Sequence, residues 1–206
     1  MLKVTIINLF SDAPVTAIIT SFIFLVSCLA FYNKKVFGLF ILHPYSIVKD
    51  RAYYRLFTSD FVHNDIMHLV LNEFMLYVFC SDLEEHLKKQ SHSGSLTFLV
   101  IYLTSMLTGS IIVTLRHWKD FNYSTTGPSG SILGCMFSFI LLDPNYVALN
   151  IPGIGEIKNL YSGLLYILFL IGYSNRKDNQ MINHELHFFG ALGGIAATII
   201  LFPSVL

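Results

Sequence analysis

Gly127-Pro128-Ser129-Gly130 is the stretch of this sequence best suited to chemistry. Its glycines permit backbone angles that other residues avoid, and the start of a helix offers unpaired N–H groups to a developing negative charge. A serine at such a junction can act as a nucleophile if a base takes its proton; the plainer alternative is a serine that only caps the helix. The base to consider is His187. His187, Gly190 and Gly194 fall at i, i+3 and i+7, so the imidazole shares its helix face with two residues that have no side chain. Gly130, Gly134 and Ser138 recur every four residues, a spacing that lets membrane helices approach closely. Packing of these two faces would carry His187 to Ser129 and form a serine–histidine dyad, for which no orienting acid is strictly required. The plainer alternative for His187 is a structural hydrogen bond between helices.

His68 and Asn72 lie four apart on one helical face, and both side chains can donate hydrogen bonds to an oxyanion beside the Ser129 N–H. Taken alone they could equally be a polar contact between helices. His184-Glu185-Leu186-His187 resembles a zinc-protease helix only superficially, because its histidines are three apart where that motif needs four. No metal and no cofactor are therefore expected.

These residues must be positioned by elements that live in lipid. Of 206 residues, 54% are apolar and only 13% charged, and the mean hydropathy is +0.61. Several apolar runs approach the roughly 20 residues that cross a ~30 Å hydrocarbon core. The pattern predicts an all-α polytopic membrane protein with six spans, at about 15–32, 66–86, 96–115, 129–142, 160–173 and 184–202, forming one membrane domain over residues 1–206. The fourth and fifth are short for a full crossing. Residues 36–62 mix aromatics with Lys49, Asp50, Arg51, Arg55 and Asp60 and are expected at the membrane interface. Asp143-Pro144-Asn145 reads as a turn that opens a Gly- and Pro-containing loop.

Thirteen Lys and Arg balance thirteen Asp and Glu, so nothing in the charge points to nucleic acid. Cys28, Cys80 and Cys135 all fall in apolar helical runs and imply buried thiols, not a disulfide framework. Leu25-Val26-Ser27-Cys28 has the look of a lipoprotein cleavage box, but the chain stays apolar through Tyr32, so the first span is expected to be retained.

Between Tyr54 and Gly194 the chain resembles the rhomboid family of intramembrane serine proteases. The likeness rests on Arg55 with His63 eight residues on, the series His63, His68, Asn72, then Glu84, Gly127-x-Ser129-Gly130, and His187-x-x-Gly190-x-x-x-Gly194, in that order. It implies a six-helix bundle with a wet cavity and a serine endopeptidase that cleaves the transmembrane segments of other proteins. Ser129 would be the nucleophile, His187 the general base, and His68 and Asn72 the oxyanion donors. By the same likeness Arg55, His63 and Glu84 would support the first long loop and its contact with the second span. The partners implied are transmembrane protein substrates and the lipid bilayer, and the setting is a bacterial cell (inner) membrane. Departures from the family pattern are Cys80, Ser81 and Lys88, where relatives often have glycine, and Leu133, where some place an aromatic ring against the histidine.

Backbone in hydrocarbon must stay hydrogen-bonded, so substrates with weak helices and small residues at the cut are expected. The polar run 174–183 is expected to be a mobile lid beside the fifth span. The family topology puts the N-terminus in the cytoplasm, whereas nine Lys and Arg on the loops at the Ser129 end against four at the other favour the opposite orientation. Two other functions fit parts of the pattern. One is an inactive rhomboid-like chaperone or adaptor that binds transmembrane helices; the other is a small transporter using its intramembrane histidines, although no internal repeat supports it.

Overall fold

The structure, a computed structural model, describes residues 9–151, 153, 155–174 and 183–205. Among the described residues, six apolar helices of more than ten residues follow one another: α1 (Pro14–Tyr32), α2 (Ile66–Gln90), α3 (Gly94–His117), α4 (Ser129–Leu142), α5 (Asn159–Ser174) and α6 (His184–Leu201). Four of them, α1, α2, α3 and α6, are long and apolar enough to cross a bilayer, while α4 and α5 are shorter. The chain is thus a helical polytopic membrane protein. Of the polar run read as a lid, residues 175–182 lie outside the described residues.

The central element is α4, whose residues are buried without a break from Ser129 through Met136. Around it, Ile23 of α1, Leu76 and Leu83 of α2, Phe98, Ile101 and Tyr102 of α3, and Ile132 and Phe139 of α4 form a continuous core. The outward side chains Ile18, Leu25 and Leu29 of α1, Leu115 of α3 and Ile200 of α6 are exposed, as a lipid-facing surface requires. Lipid tails are as apolar as these side chains, so helix association here depends on close contact and polar bonds more than on exclusion of water.

Glycine supplies the close contact between α4 and α6. A methyl group added at Gly190 would come within 2.5 Å of the Gly130 carbonyl oxygen, and one at Gly194 within 2.3 Å of the Gly134 carbonyl oxygen. The backbones touch at two successive turns. Ser138, the third member of the small-residue series, donates its hydroxyl to the Gly134 carbonyl at 2.7 Å and also reaches the Gly194 carbonyl at 3.1 Å.

Buried polar groups supply the bonds. Pro14 stands in the first turn of α1, where its missing N–H costs nothing, and the next two N–H groups, of Val15 and Thr16, donate to the Glu84 carboxylate at 3.0 and 2.7 Å. A carboxylate at a helix start satisfies otherwise orphaned donors and suits the helix dipole. Glu84 also accepts from the Ser95 hydroxyl at 2.6 Å. It therefore joins α2 to α1 and α3, and not to the first long loop as the family likeness implied; the unpaired N–H groups of α1 are what a carboxylate at this end of the bundle meets.

Two local features depart from the sequence expectation. Within α2, Leu76–Cys80 winds as a π-helix in which the Ser81 N–H reaches the Leu76 carbonyl, and the Tyr77 carbonyl accepts the Ser81 hydroxyl instead. Ser81 thus satisfies a carbonyl of the widened turn. The Gly- and Pro-containing loop after α4 holds an antiparallel hairpin, β1 (Val147–Ile151) and β2 (Gly155–Lys158), in which Leu149 pairs with Ile157 and Ile151 with Gly155 along the backbone, and Gly153 and Gly155 take positive φ. A short run with Val147 and Ile151 ahead of Gly153 and Gly155 was the available signal.

A test of the seam compares two glycines. Gly194→Ala should lower the stability of the detergent-solubilised protein by about 1–3 kcal/mol, read as a drop in thermal midpoint. Gly38→Ala, where an added methyl meets nothing within 4 Å, should leave the midpoint unchanged or raise it. Equal midpoints for both variants would refute the close approach.

Candidate active site

Ser129 is the first residue of α4, preceded by Pro128 in the cap position, and no side chain caps this helix. The capping alternative for the serine therefore does not hold. The first N–H of this helix with an intrahelical acceptor is that of Ile132, bonded to the Pro128 carbonyl at 2.9 Å, so those of Ser129, Gly130 and Ser131 lack one. The Ser129 hydroxyl lies 2.6 Å from Nε2 of His187, across 58 residues of sequence. Both residues are buried, at 7% and 8% exposure. With Nε2 accepting from the hydroxyl, the ring proton sits on Nδ1. Nδ1 is buried and has no hydrogen-bond partner among the described residues, so no carboxylate of theirs completes a triad. A serine paired with an imidazole in this way can pass its proton to the ring as it attacks a carbonyl.

The start of α6 that carries His187 is fixed by its own cap and by a cluster reaching from α3. The Asn183 side chain accepts from the Leu186 N–H at 3.0 Å and donates to the Tyr123 hydroxyl. His117 at the end of α3 stacks flat on Tyr123, with ring centroids 3.8 Å apart, and reaches the Glu185 carboxylate at 2.7 Å. Arg116 pairs with the other oxygen of Glu185 at 3.1 Å. Leu133 is buried among Phe79, Met136 and Ala191, so this position contributes aliphatic packing.

Gly127 accounts for the shape of the turn before Ser129. Its φ is +94°, and an added methyl would come within 2.9 and 3.1 Å of Cε1 and Nε2 of His68. The structure thus brings His68 against the turn that presents Ser129. The His68 N–H is held by the Asp65 side chain, which caps α2 at 2.9 Å, and its ring packs edge-on against His63 at 4.9 Å. Asn72 is buried one turn further along and donates from Nδ2 to the His68 carbonyl at 2.9 Å; an amide nitrogen carries a second N–H. Among the described residues, no group of three His, Cys, Asp or Glu side chains is gathered as a metal site.

The loop residues singled out by the family likeness do structural work. Arg55 donates from one guanidinium nitrogen to the Gly38 and Ile41 carbonyls at 2.9 and 3.0 Å, closing the loop between α1 and α2. His63 Nδ1 lies 2.8 Å from the Ser27 hydroxyl, which in turn donates to the Phe61 carbonyl at 2.9 Å. Since that hydroxyl has one proton, His63 is the donor. Ser27, part of the apparent lipoprotein box, is therefore a helix-to-loop tie inside α1. Burial, with a smaller contribution from His68, depresses the His63 imidazole to a pKa of about 3, so it remains neutral.

Three residues at the site were not singled out from the sequence. Asp60 is buried and accepts at one carboxyl oxygen from the Ser131 hydroxyl at 2.5 Å and the Tyr102 hydroxyl at 3.3 Å. Burial raises its pKa to about 7, against the opposing pull of those two donors. A charge among the interfacial aromatics was visible, but nothing in the sequence pointed it inward.

A family model for the rhomboid domain matches residues 50–204. The chain is 28% identical over 153 residues to the rhomboid protease GluP of Bacillus subtilis, covering 74% of this chain and 27% of that protein. It is 29% identical over 150 residues to the putative rhomboid protease YdcA of the same organism, covering 71% and 66%. It is also 28% identical over 185 residues to inactive rhomboid protein 1 of Drosophila melanogaster, covering 87% of this chain and 11% of that one. The chain spans less than two thirds of the length of each of these relatives.

The Asp60 environment gives a pH dependence with a definite sign. The folded protein holds this proton up to about pH 7, whereas a free Asp ordinarily gives it up at 3.8. Its contribution to stability is therefore fully present below the free value and lost as pH rises through the folded one. Between these limits the thermal midpoint of the wild type should fall with pH relative to that of Asp60→Asn, with His63 common to both. Parallel profiles would contradict the buried acid.

Proposed function

This chain belongs to the rhomboid family, and we propose that it is an intramembrane serine endopeptidase acting through Ser129 and His187. The single observation that carries the reading is the 2.6 Å hydrogen bond between the Ser129 hydroxyl and His187 Nε2 at the start of a buried helix. In this mechanism a substrate's transmembrane helix unwinds near the membrane surface and Ser129 attacks the scissile carbonyl while His187 takes its proton. The ring then returns the proton to the leaving amine. The anion of the tetrahedral intermediate is met by the Ser129 N–H, His68 and Asn72. Water hydrolyses the resulting acyl-enzyme. Substrates are transmembrane segments whose helices are weak, with small residues at the cut, because exposing an amide in lipid is otherwise costly. The setting is a bacterial cell membrane.

Likeness to an inactive rhomboid protein over 87% of this chain favours one second reading, a helix-binding adaptor that uses the same groove without hydrolysis. An adaptor has no need of an activated hydroxyl.

The two readings separate by labelling and by cleavage. The purified protein should react with a fluorophosphonate probe at Ser129 and cut a model transmembrane substrate in proteoliposomes. Ser129→Ala and His187→Ala should each lose cleavage by about a thousandfold or more, with thermal midpoints retained. His68→Ala should lose about a hundredfold, as removal of an oxyanion donor does. A folded wild-type protein that neither labels nor cleaves would establish the adaptor reading, and full activity of Ser129→Ala would falsify the mechanism.

A further inference from the structure

The mechanism above makes no use of Asp60, yet a carboxyl group this deeply buried is costly unless it holds something in place. What it holds lies two residues beyond Ser129. Its Oδ2 accepts from the Ser131 hydroxyl at 2.5 Å. The residue before it, Ser59, holds the chain two residues ahead of Ser129, because its carbonyl accepts from the Gly127 N–H at 2.8 Å. Ser59, Asp60 and Ser131 are 4%, 3% and 1% exposed, so neither bond competes with solvent. Tyr102 of α3 adds its hydroxyl at 3.3 Å and ties the same carboxyl to a third element.

We propose that the Ser59–Asp60 dipeptide is the positioning element for Ser129, gripping the turn from both sides so that the hydroxyl stays aimed at His187. The Ser59 bond fixes the entry of the chain at Gly127, where positive φ makes the backbone easiest to reorient. The Asp60 bond fixes the rotation of the first helical turn through Ser131. Asp60 touches neither the substrate nor the reacting atoms; it acts through Ser131. The 3-10 turn Ser59–Phe61 that presents both groups follows directly on the short helix Arg55–Thr58. The loop that Arg55 closes therefore ends as a brace under the nucleophile.

This inference rests on Ser129 being the nucleophile, and the experiment distinguishes the two. The rate of fluorophosphonate labelling of Ser129, kcat and KM for a model transmembrane substrate, and the thermal midpoint are measured for the wild type, Ser131→Ala, Asp60→Ala and the double variant. Each single variant should lower the labelling rate and kcat about tenfold while KM stays within about twofold, because misplacing a nucleophile slows the chemistry without weakening binding. The double variant should be no slower than the slower single one, since both remove one bond. Ser131→Ala leaves the Tyr102 hydroxyl on Asp60 and puts the best helix former in a helical position, so its fold is retained even if Asp60→Ala proves unstable. Wild-type rates in Ser131→Ala, a rise in KM with kcat intact, or a rate loss no larger than its unfolded fraction at the assay temperature would each overturn the proposal. If the folded wild type fails to label, the nucleophile reading falls and this inference falls with it. If the wild type labels and Ser131→Ala keeps its rate, this inference alone fails.

Discussion

The bond between Ser129 and His187 depends on how closely two helix backbones can approach. At Gly130 with Gly190, and again at Gly134 with Gly194, α4 and α6 meet with no room for a single methyl group between them. In lipid, where apolar side chains gain little by leaving the tails, such contact and the dispersion it brings are a principal source of helix association. The contact also fixes geometry. With the two helices locked at successive turns, a hydroxyl at the first position of α4 and an imidazole one turn before Gly190 are brought to 2.6 Å.

Around this seam the structure distributes buried polar groups that each tie two or more elements. Glu84 takes the free N–H groups of α1 and the Ser95 hydroxyl of α3. Ser27 in α1 receives His63 from the loop, Arg55 closes that loop through two carbonyls, and Asp60 binds it to α3 and α4. Leaving any of these groups unpaired in a low-dielectric interior would cost more than the bond itself contributes in water. The polar ties therefore specify one arrangement of helices that apolar packing alone would leave loosely defined.

The same economy shapes the site. Gly127 is needed because positive φ and the ring of His68 exclude any side chain there. His68 is held by the Asp65 cap on its N–H and by the edge of the His63 ring, and the His187 helix is held by Asn183 and the cluster of Tyr123, His117, Arg116 and Glu185. Each group offered for chemistry thus has its backbone fixed by a neighbour that has no chemical role of its own, which is how a reactive geometry is kept without a rigid soluble core.

Much of this was legible in the chain. Apolar runs of spanning length gave the helices, and the four-residue spacing of Gly130, Gly134 and Ser138 with the His187, Gly190, Gly194 face gave the seam, because helical periodicity alone decides which side chains share a face. What periodicity cannot give is the partner of a polar group in a different element. The sequence left Ser129 as either cap or nucleophile, and only the docking of α6 put an imidazole on its hydroxyl. It placed Asp60 at the membrane interface with its charged neighbours, and the loop's path under α4 turned it inward to Ser131. The family pattern assigns Glu84 to the loop, and only the open N–H groups of α1 beside it make it a tie between helices. Local pattern is written along the chain, but a hydrogen bond between residues far apart in sequence exists only once packing has set the distance.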